Sequence, residues 1–311
     1  MDENLEVKYY QYKTWLKERH LFDNIWVRNW DVKNNDFHWF GKRDSLFYTS
    51  IYLTALALEK NEGEYIDLLK ALNETRYAKG MYPRHTGEYD TSKDPYYTLI
   101  MALAYGIKMF PNNSIIAETL DEIIQGVREN NYKLKNPDGK ETKHGGMSAF
   151  KPIFACIEKQ FSLLYWLTVW VSPTISYLIN RARKSYYNNF MFASQFLIYH
   201  LYIDKNRARE TLKSSANKFA EINKNHPYFL MVRDVICNER KHQAEVEKIL
   251  ETFPEKHLPN DLDPITHSDM MWHRDPRDWA SAKSKLEREY SGIDYMNLYQ
   301  FYRMHYVKQE I

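Results

Sequence analysis

The chain has 311 residues, enough for one large hydrophobic core, and carries 43 basic against 41 acidic side chains. A charge balance this even provides no field to hold a polyanion, and no basic stripe alternates with stacking aromatic residues, which argues against nucleic acid as a partner. With 10 glycines, 11 prolines and no low-complexity run to mark a linker, the sequence predicts a single domain over residues 1–311.

Hydrophobic periodicity predicts a succession of helices of two kinds. One kind is apolar nearly all round and must be buried on most sides, whereas the other has one apolar stripe and belongs on an outer surface. In chain order we predict one-sided Glu6–Lys17, buried Ser45–Lys60, one-sided Glu64–Tyr77, buried Pro95–Met109, one-sided Ser114–Asn130, buried Pro152–Val171, buried Asn188–Ile203, one-sided Arg207–Ile222, one-sided Lys241–Thr252 and buried Ile293–Val307.

Alternation of the two kinds predicts an all-α fold, an (α/α)6-type toroid with inner helices surrounded by outer ones. A four-helix bundle does not need so many fully buried helices, and a helical solenoid would show a repeat period that this sequence lacks. In a toroid the loops that join the inner helices converge on one mouth, and a concave mouth is the default binding site.

Residues 160–180 are uncharged and just long enough to span a bilayer. Their hydroxyl side chains and a central Pro173 favour a helix-turn-helix inside the core, with contact at a membrane interface and spanning as the less favoured alternatives. The acidic start, from Met1 to Glu6, has no apolar signal region, so we expect a cytoplasmic protein, or a virion protein if the gene belongs to a phage.

The long segment Trp26–Ser45 combines tryptophans, a histidine and carboxylates before a buried helix. A sugar ring presents apolar C–H faces and polar edges, so Trp39 and Asp44 are candidates for substrate binding. The alternative is structural: Asp44 would cap the helix that starts at Ser45, and the tryptophans would seal the end of the toroid.

The segment Gly80–Asp94 is the densest in polar residues. Arg84 and His85 with the nearby Tyr89 could clamp a carboxylate and move a proton, as a uronate lyase requires. Asp90 or Asp94 could instead serve a hydrolase as acid or base, but Asp94 also directly precedes Pro95, which makes it a good N-cap.

Two further segments hold candidate residues. The sequence His144-Gly145-Gly146 predicts a loop in which the two glycines, having no side chain, let the backbone approach a ligand closely. The segment Ser268–Asp294 sets Trp272 and Arg274 in a loop and ends with Asp294 and Tyr295 at the start of the last buried helix, where the helix dipole alone would stabilise Asp294.

Motifs for cofactors and metals are absent from the sequence. There is no HExxH, no Cys/His metal spacing, no phosphate-binding glycine loop and no GxSxG elbow. Cys156 and Cys237 have the spacing of neither a metal site nor a redox pair. We therefore predict no metal and no cofactor.

The ordered motifs resemble one known family. GMYPRHTGEYDTSKDPYYTLIMALAYG is similar to the "RHP…SRDQ…PLIIAL" stretch of a largely uncharacterised family of bacterial and phage proteins predicted to be (α/α) toroids, like the six-hairpin glycosidases and lyases. WHRDPRDW…SGIDYMNLYQFYR resembles that family's "WQRSPF…PGIDYLLPYWMAR", and YYNNFMFASQFLIYH stands where the family has an inner helix. The resemblance implies the matching positions Arg84, His85, Asp94, Trp272, Arg274, Asp294 and Tyr295.

The chain also departs from the family's pattern. Lys93-Asp94-Pro95 replaces Arg-Asp-Gln, and a predicted charged helix, Ala280–Tyr290, replaces a glycine-rich insert. The family supplies no reaction to carry over. The departures put conserved catalysis in doubt and are compatible with a toroid reused for binding.

Two functional hypotheses follow, and the sequence does not decide whether the protein is an enzyme. The first is a hydrolase or lyase on an acidic glycan, in which Arg84 binds a carboxylate, His85 or Tyr89 moves a proton, and Asp94 or Asp294 is the partner acid. The second is a non-catalytic virion or cell-envelope protein that binds a glycan or another protein through the same mouth. The predicted substrate contacts are Trp39, Asp44, Tyr89, His144, Trp272, Arg274 and Tyr295.

Overall fold

A computed structural model describes most of the chain, and helices dominate it. The described residues are 3–28, 30–31, 36–37, 45–87, 90–160, 166–167, 169, 187–203, 206–224, 226–253, 288–289 and 291–307. Within these residues the elements are eleven α-helices with short strands between them, so the predicted all-α class is confirmed.

The helices follow the predicted order along the chain. Helices α1 to α11 span Glu3–Trp15, Ser45–Glu59, Glu62–Glu74, Asp94–Met109, Ser114–Glu129, Lys151–Ile157, Tyr187–Tyr202, Asn206–Ile222, Pro227–Cys237, Gln243–Thr252 and Ile293–Tyr302. A π-helical turn extends α1 over Leu16–His20, another extends α11 over Arg303–Val307, and a 3-10 turn, Ser148–Phe150, precedes α6. Nine of the ten predicted helices are present within a few residues of their predicted ends.

The predicted helix Pro152–Val171 is interrupted after Ile157, where α6 ends, whereas Trp166, Leu167 and Val169 near its predicted end are helical. Lys159 adopts a left-handed conformation with φ of 59°, which stops the helix, and its N–H donates to the carbonyl of Cys156. The neighbouring Glu158 accepts two bonds of 2.6 Å from the guanidinium of Arg128 at the end of α5. The end of α6 is therefore tied to the end of α5.

Most of the uncharged segment 160–180 lies outside the described residues, which include only Gln160, Trp166, Leu167 and Val169 of it. None of the helices in the described part of the chain is both long enough and apolar enough to cross a bilayer.

Helix α9 is an element that the sequence patterns missed. All eleven of its residues are buried, it has Pro227 in its first turn, and it ends at Asn238, whose φ of 55° is left-handed. A proline at the start and an asparagine after the end are ordinary helix boundaries. The run is short and, apart from Arg233 and Asp234, apolar throughout, so periodicity alone does not distinguish it from a buried strand.

Burial separates the helices into two groups. Helices α2, α9 and α11 are buried at nearly every position, and α4 is buried over most of its length. Helices α3, α5, α8 and α10 each bury a single stripe of side chains. This is the division that the hydrophobic patterns predict.

Contacts among the buried helices follow a cyclic order. Helix α2 packs against α4, α4 against α7, α7 against α9, α9 against α11, and α11 against α2. Each of them also contacts one-sided helices: α3 packs on α2, α5 on α4, α8 on α7 and α9, α10 on α9 and α11, and α1 on α11.

Aromatic side chains fill the space that the buried helices share. Phe47 lies 5.6 Å from Phe190, and Phe190 lies 5.0 Å from Tyr228, measured between ring centroids. Tyr228 and Tyr105 both contact Phe301, at 6.3 and 5.4 Å. Phe47 and Phe190 lie early in α2 and α7, so these two helices begin at the same end. Tyr105 and Phe301 lie late in α4 and α11, so these two also begin at a common end.

In the part of the chain that the structure describes, seven short strands lie between the helices. β1 (Leu21–Phe22) pairs with β2 (Trp26–Val27), β3 (Trp30–Asp31) pairs with both β4 (Asp36–Phe37) and β7 (Arg288–Glu289), and β5 (Lys133–Lys135) pairs with β6 (Glu141–Gly146); all of these pairs are antiparallel.

Two predictions are corrected by these strands. His144-Gly145-Gly146 is the end of strand β6 and not a loop, because it pairs with β5, and a side chain at 145 would meet the carbonyl of Leu134. The predicted helix Ala280–Tyr290 is wrong at Arg288–Glu289, which form strand β7 against β3. The rest of that helix lies outside the described residues.

The predicted cap of α4 is also corrected. The helix begins at Asp94 itself, and the N-cap position is Lys93, whose side chain makes no capping hydrogen bond. Pro95 lies in the first turn, as expected. Asp94 is therefore a first-turn acidic residue, stabilised by the helix dipole rather than by a capping geometry.

Candidate functional site

The start of α2 is the point where two loop elements meet. The Thr49 hydroxyl accepts a hydrogen bond from the N–H of Val27 (3.0 Å) and donates one to the carbonyl of Ile25 (2.9 Å), which fixes the β1–β2 hairpin on the helix. The N–H of Leu46, in the first turn of α2, donates to the carbonyl of Arg84 at 3.0 Å. The Arg84–His85 loop thus satisfies a main-chain donor that the helix start leaves open.

His85 packs among aromatic side chains of the hairpin. Its ring centroid lies 5.4 Å from those of both Phe22 and Trp26, and only 4% of the residue is exposed. Nδ1 of His85 lies 2.6 Å from the carbonyl oxygen of Thr86, which can only accept, so Nδ1 carries a proton. The Trp26 indole N–H donates to the Thr86 hydroxyl at 2.6 Å, which holds the same turn against the hairpin.

A buried arginine that sequence reasoning missed completes this cluster. Arg28 is 2% exposed, and its guanidinium carbon lies 4.0 Å from the centroid of Phe22. Its main chain is held by His20, because the N–H of Arg28 donates to the His20 carbonyl and Nδ1 of His20 donates to the Arg28 carbonyl. We call Phe22, Trp26, Arg28 and His85 the stacked cluster. A cation over an aromatic face is strengthened when both are withdrawn from water.

Arg84 lies at the edge of the same loop. Its Nε is 3.6 Å from Oδ2 of Asp90, whose side chain is 54% exposed. Charge-assisted N–H···O bonds are ordinarily about 2.7–2.9 Å long, so this pair is loose. The main chain closes the loop independently, because the N–H of Arg84 donates to the carbonyl of Asp90 at 3.2 Å.

Asp94 and Asp294 lie in the first turns of α4 and α11, the two helices that flank α2. The charge of Asp94 adds to burial in raising the pKa of Tyr97, one turn further along. Asp294 is only 1% exposed, and its Oδ1 accepts the N–H of Tyr295 at 3.0 Å. The main chain turns into α11 at Gly292, with φ of 72°.

Tyr295 points between helices. Its ring centroid lies 4.7 Å from that of Tyr12 in α1, and its hydroxyl donates to the carbonyl of Leu5 at 3.1 Å. Packing of α1 on α11 thus explains the presence of Tyr295.

Four of the predicted catalytic residues lie at the starts of neighbouring helices. Arg84 and His85 lie together at the start of α2, and Asp94 and Asp294 lie at the starts of its two neighbours.

Trp39, Asp44, Tyr89, Trp272 and Arg274 lie outside the described residues, and for His144 only the main chain, in strand β6, is described.

Comparison of the chain with protein-family models, with curated proteins and with solved structures found no match. The resemblance to the toroid family therefore stays a prediction.

No group of three or more His, Cys, Asp or Glu side chains in the described part of the chain is arranged to hold a metal ion. Cys156 and Cys237 are both buried and form no disulfide.

A second polar cluster, also missed from the sequence, lies at the far ends of α9 and α11. Asp234 is fully buried, and its Oδ1 lies 2.8 Å from Nη1 of Arg233 and 3.0 Å from Nδ1 of His242. Its Oδ2 accepts the N–H of His242 at 2.7 Å and the Tyr306 hydroxyl at 2.9 Å. The signal in the sequence was a charged Arg-Asp pair inside the apolar run PYFLMVRDVIC. Asp234 makes these contacts with neighbouring protein groups, so we interpret the cluster as structural. We call Asp234, Arg233, His242 and Tyr306 the latch.

Proposed function

We propose that this chain is a carbohydrate-active toroid of the hydrolase or lyase type, which holds an acidic glycan at the end where α2, α4 and α11 begin. The observation that carries the proposal is the loose pair of the mostly buried Arg84 with the exposed Asp90, beside the stacked cluster. This arrangement places the Arg84 guanidinium, which can exchange Asp90 for another carboxylate, beside the flat and partly apolar rings of the stacked cluster.

The cyclic order of helix contacts supports the toroid. Five pairs of a buried and a one-sided helix can be followed in the described residues: α2 with α3, α4 with α5, α7 with α8, α9 with α10, and α11 with α1. The contact of α11 with α2 would close the circle, and the aromatic side chains between the buried helices would fill its centre.

The weak pairing of Arg84 with Asp90 supports an acidic ligand, because a ligand carboxylate can replace that of Asp90 on the guanidinium. Asp90 is mostly exposed, so its interaction with Arg84 is weakened by solvent and contributes little to stability. A uronate carboxylate could take its place with two parallel N–H···O bonds, the geometry that a guanidinium favours. In this proposal Arg84 orients the sugar, and Trp39 and Trp272 stack on its faces.

In the catalytic form of the proposal, His85 exchanges a proton through Nε2, because Nδ1 faces the Thr86 carbonyl. Asp94 or Asp294 serves as the partner acid at a helix start. A lyase would abstract the proton next to the uronate carboxylate, whereas a hydrolase would protonate the leaving oxygen.

A non-catalytic glycan-binding protein of the virion or cell envelope is the second candidate. The burial of His85 and Asp294 favours it, because a group that moves a substrate proton must come within hydrogen-bond reach of the substrate. Both residues then stabilise the end of the toroid, and Arg84 remains the ligand contact.

The two candidates are tested with one set of proteins. The parent chain, Arg84→Gln and the matched control Arg128→Gln, which removes an exposed guanidinium paired with Glu158, are applied to an array of acidic and neutral glycans. Reducing ends and unsaturated uronates are then assayed with each glycan that binds.

Acidic-glycan binding that is lost in Arg84→Gln and kept in Arg128→Gln is the expected result. Turnover by the parent chain, abolished in His85→Ala, identifies the enzyme; binding without turnover identifies the second candidate. A parent chain that binds no acidic glycan overturns both.

A further inference from the structure

A groove lies between α1 and the end of α10, two one-sided helices. Its volume is about 440 Å³, within the range of roughly 300–1,000 Å³ that small-molecule sites occupy. Polar side chains from both helices line it, together with two apolar ones; these residues are Asn4, Val7, Lys8 and Gln11 on one wall and Glu251 and Phe253 on the other.

Hydrogen bonds and ring contacts fix the two walls relative to each other. Nζ of Lys8 donates to the carbonyls of Leu250 and Glu251, both at 3.1 Å, and Lys8 is only 9% exposed. The ring of Phe253 lies 5.3 Å from that of Tyr295, at the start of α11. The shape of the groove is therefore set by the protein itself, and a ligand loses little free energy to ordering its walls.

The charges around the groove favour an uncharged ligand. The ammonium group of Lys8 disfavours a cation, whereas the Glu251 carboxylate and the carbonyl end of α10 disfavour an anion. The carboxamides of Asn4 and Gln11 both donate and accept hydrogen bonds. A ligand that matches this set carries several uncharged groups that also donate and accept, as hydroxyl groups do.

Apolar side chains lie exposed at the edge of the groove. Val7 is 55% exposed, and Tyr10, one turn further along α1, is 47% exposed. Deeper in the groove, Leu5 and Phe253 are only 3% and 2% exposed, so there is no apolar pocket for a peptide side chain. A sugar ring fits this arrangement better, because its hydroxyls lie at its edge and its C–H face packs flat on an apolar surface.

We propose that this groove is a binding site for an uncharged sugar unit. Gln11 and Glu251 hold its hydroxyl groups from the two walls, and Val7 and Tyr10 pack against its C–H face. Both Gln11 and Glu251 are exposed, and in the part of the chain that the structure describes their side chains make no hydrogen bond or ion pair. They can therefore bind a ligand without breaking a contact within the protein.

The groove is separate from the acidic-glycan contact proposed at Arg84. None of its lining residues belongs to the stacked cluster or to the Arg84–His85 loop. The two sites also select opposite chemistry, since the guanidinium takes a carboxylate and the groove takes neutral hydroxyls.

Saturation-transfer NMR with maltotriose, cellotriose and the N-acetylglucosamine trimer tests the proposal. We expect transfer from at least one of these neutral sugars to the parent chain, and a Kd that Gln11→Ala and Glu251→Ala each raise by roughly 3- to 10-fold. Thr14→Ala and Glu221→Ala are the matched controls and should leave Kd unchanged. Thr14 is exposed on α1 outside the groove, and Glu221 is the exposed second-last residue of α8, as Glu251 is of α10.

A second pair of variants fills the groove instead of removing its contacts. Val7→Trp places a large side chain at its edge and should abolish the transfer, whereas Thr14→Trp, on the same helix but outside the groove, should not. Both positions are exposed, so the fold is expected to tolerate either change.

The outcomes separate this site from the one at Arg84. A parent chain that gives no transfer with any of the neutral sugars overturns the groove proposal, whatever the acidic glycans do. Transfer that survives Val7→Trp but is lost in Arg84→Gln also overturns it, because the neutral sugar then binds at the acidic-glycan site. Transfer lost in Val7→Trp and kept in Arg84→Gln supports the groove even if no acidic glycan binds.

Discussion

The hydroxyl of Tyr306 donates a hydrogen bond to the carboxylate of Asp234, 2.9 Å away and 72 residues earlier in the chain. The same carboxylate receives the main-chain N–H of His242 and the guanidinium of Arg233. A single buried carboxylate thus joins the end of α9, the start of α10 and the π-helical turn that follows α11.

Removal of this carboxylate is expected to destabilise the protein strongly. Asp234→Ala leaves the mostly buried Arg233 without its buried carboxylate partner, and we expect the free energy of unfolding in urea to fall by about 3–5 kcal/mol. Glu239 and Asn217, which also contact the guanidinium, remain in this variant. Tyr306→Phe removes one bond to a charged acceptor and should lower it by about 1.5–3 kcal/mol. Glu210→Ala, which breaks an exposed pair with Lys213, is the control and should change it by less than about 1 kcal/mol. An Asp234→Ala variant as stable as that control would show that the latch contributes nothing.

The latch and helix α9 also show which parts of the fold the sequence could predict. The alternation of buried and one-sided helices predicted nine helices because it depends on local periodicity. The same alternation placed one-sided Arg207–Ile222 directly before one-sided Lys241–Thr252, which should have indicated a buried helix between them. Helix α9 occupies that gap. Its Arg233 and Asp234 are charged yet buried, because their partners come from distant segments that no local pattern contains.

The candidate site was predictable to a similar extent. Arg84 and His85 are adjacent and lie in a polar loop, so they could be selected from the sequence. Phe22, Trp26 and Arg28 could not, because their proximity depends on a hairpin with strands of two residues. The signal that was available is Asp23-Asn24, both with positive φ of 51° and 57°, in the connection between Phe22 and Trp26. Such pairs are typical of tight hairpin turns.

A pH dependence of stability is expected from His200, in the last turn of α7. Burial lowers the pKa of His200 from 6.5 to about 4, and the charges of Arg209 and His305 add to the shift. Because the pKa is lower in the folded protein, the unfolded chain takes up the proton first. His200 therefore does not reduce the free energy of unfolding above pH 6.5, and its unfavourable contribution grows as the pH falls. Below about pH 4 that contribution is complete and lowers the free energy of unfolding by about 3 kcal/mol.

The contribution of His200 is isolated by comparison with His200→Gln, which has no group that titrates in this range. Urea unfolding of both proteins at pH 7, 5.5 and 4.5 should show the parent chain losing stability faster than the variant. Two curves that fall in parallel would assign the acid sensitivity to other groups.

Gly292 is expected to tolerate no side chain. Its φ of 72° is a left-handed conformation that disfavours alanine by roughly 1–2 kcal/mol, and a Cβ atom would overlap the ring of Tyr12. Gly292→Ala should therefore lower the free energy of unfolding by more than that strain alone. Gly139→Ala is the matched control, because Gly139 has φ of 80° and open space around it, so only the strain is lost. Equal losses in the two variants would mean that Tyr12 moves aside freely.

Asp90→Ala is expected to strengthen the binding of an acidic glycan. Asp90 lies 3.6 Å from Arg84 and is 54% exposed, so it competes with a ligand carboxylate for the same guanidinium. An ion pair with an exposed partner contributes about 0.2–1 kcal/mol, and its removal should tighten Kd by roughly 1.4- to 5-fold in calorimetric titration. Asp138→Ala, which removes an exposed aspartate beside Lys140 in the β5–β6 connection, should leave Kd unchanged. Binding that weakens in Asp90→Ala would show that Asp90 orients Arg84 for the ligand, and the exchange of carboxylates would then be wrong.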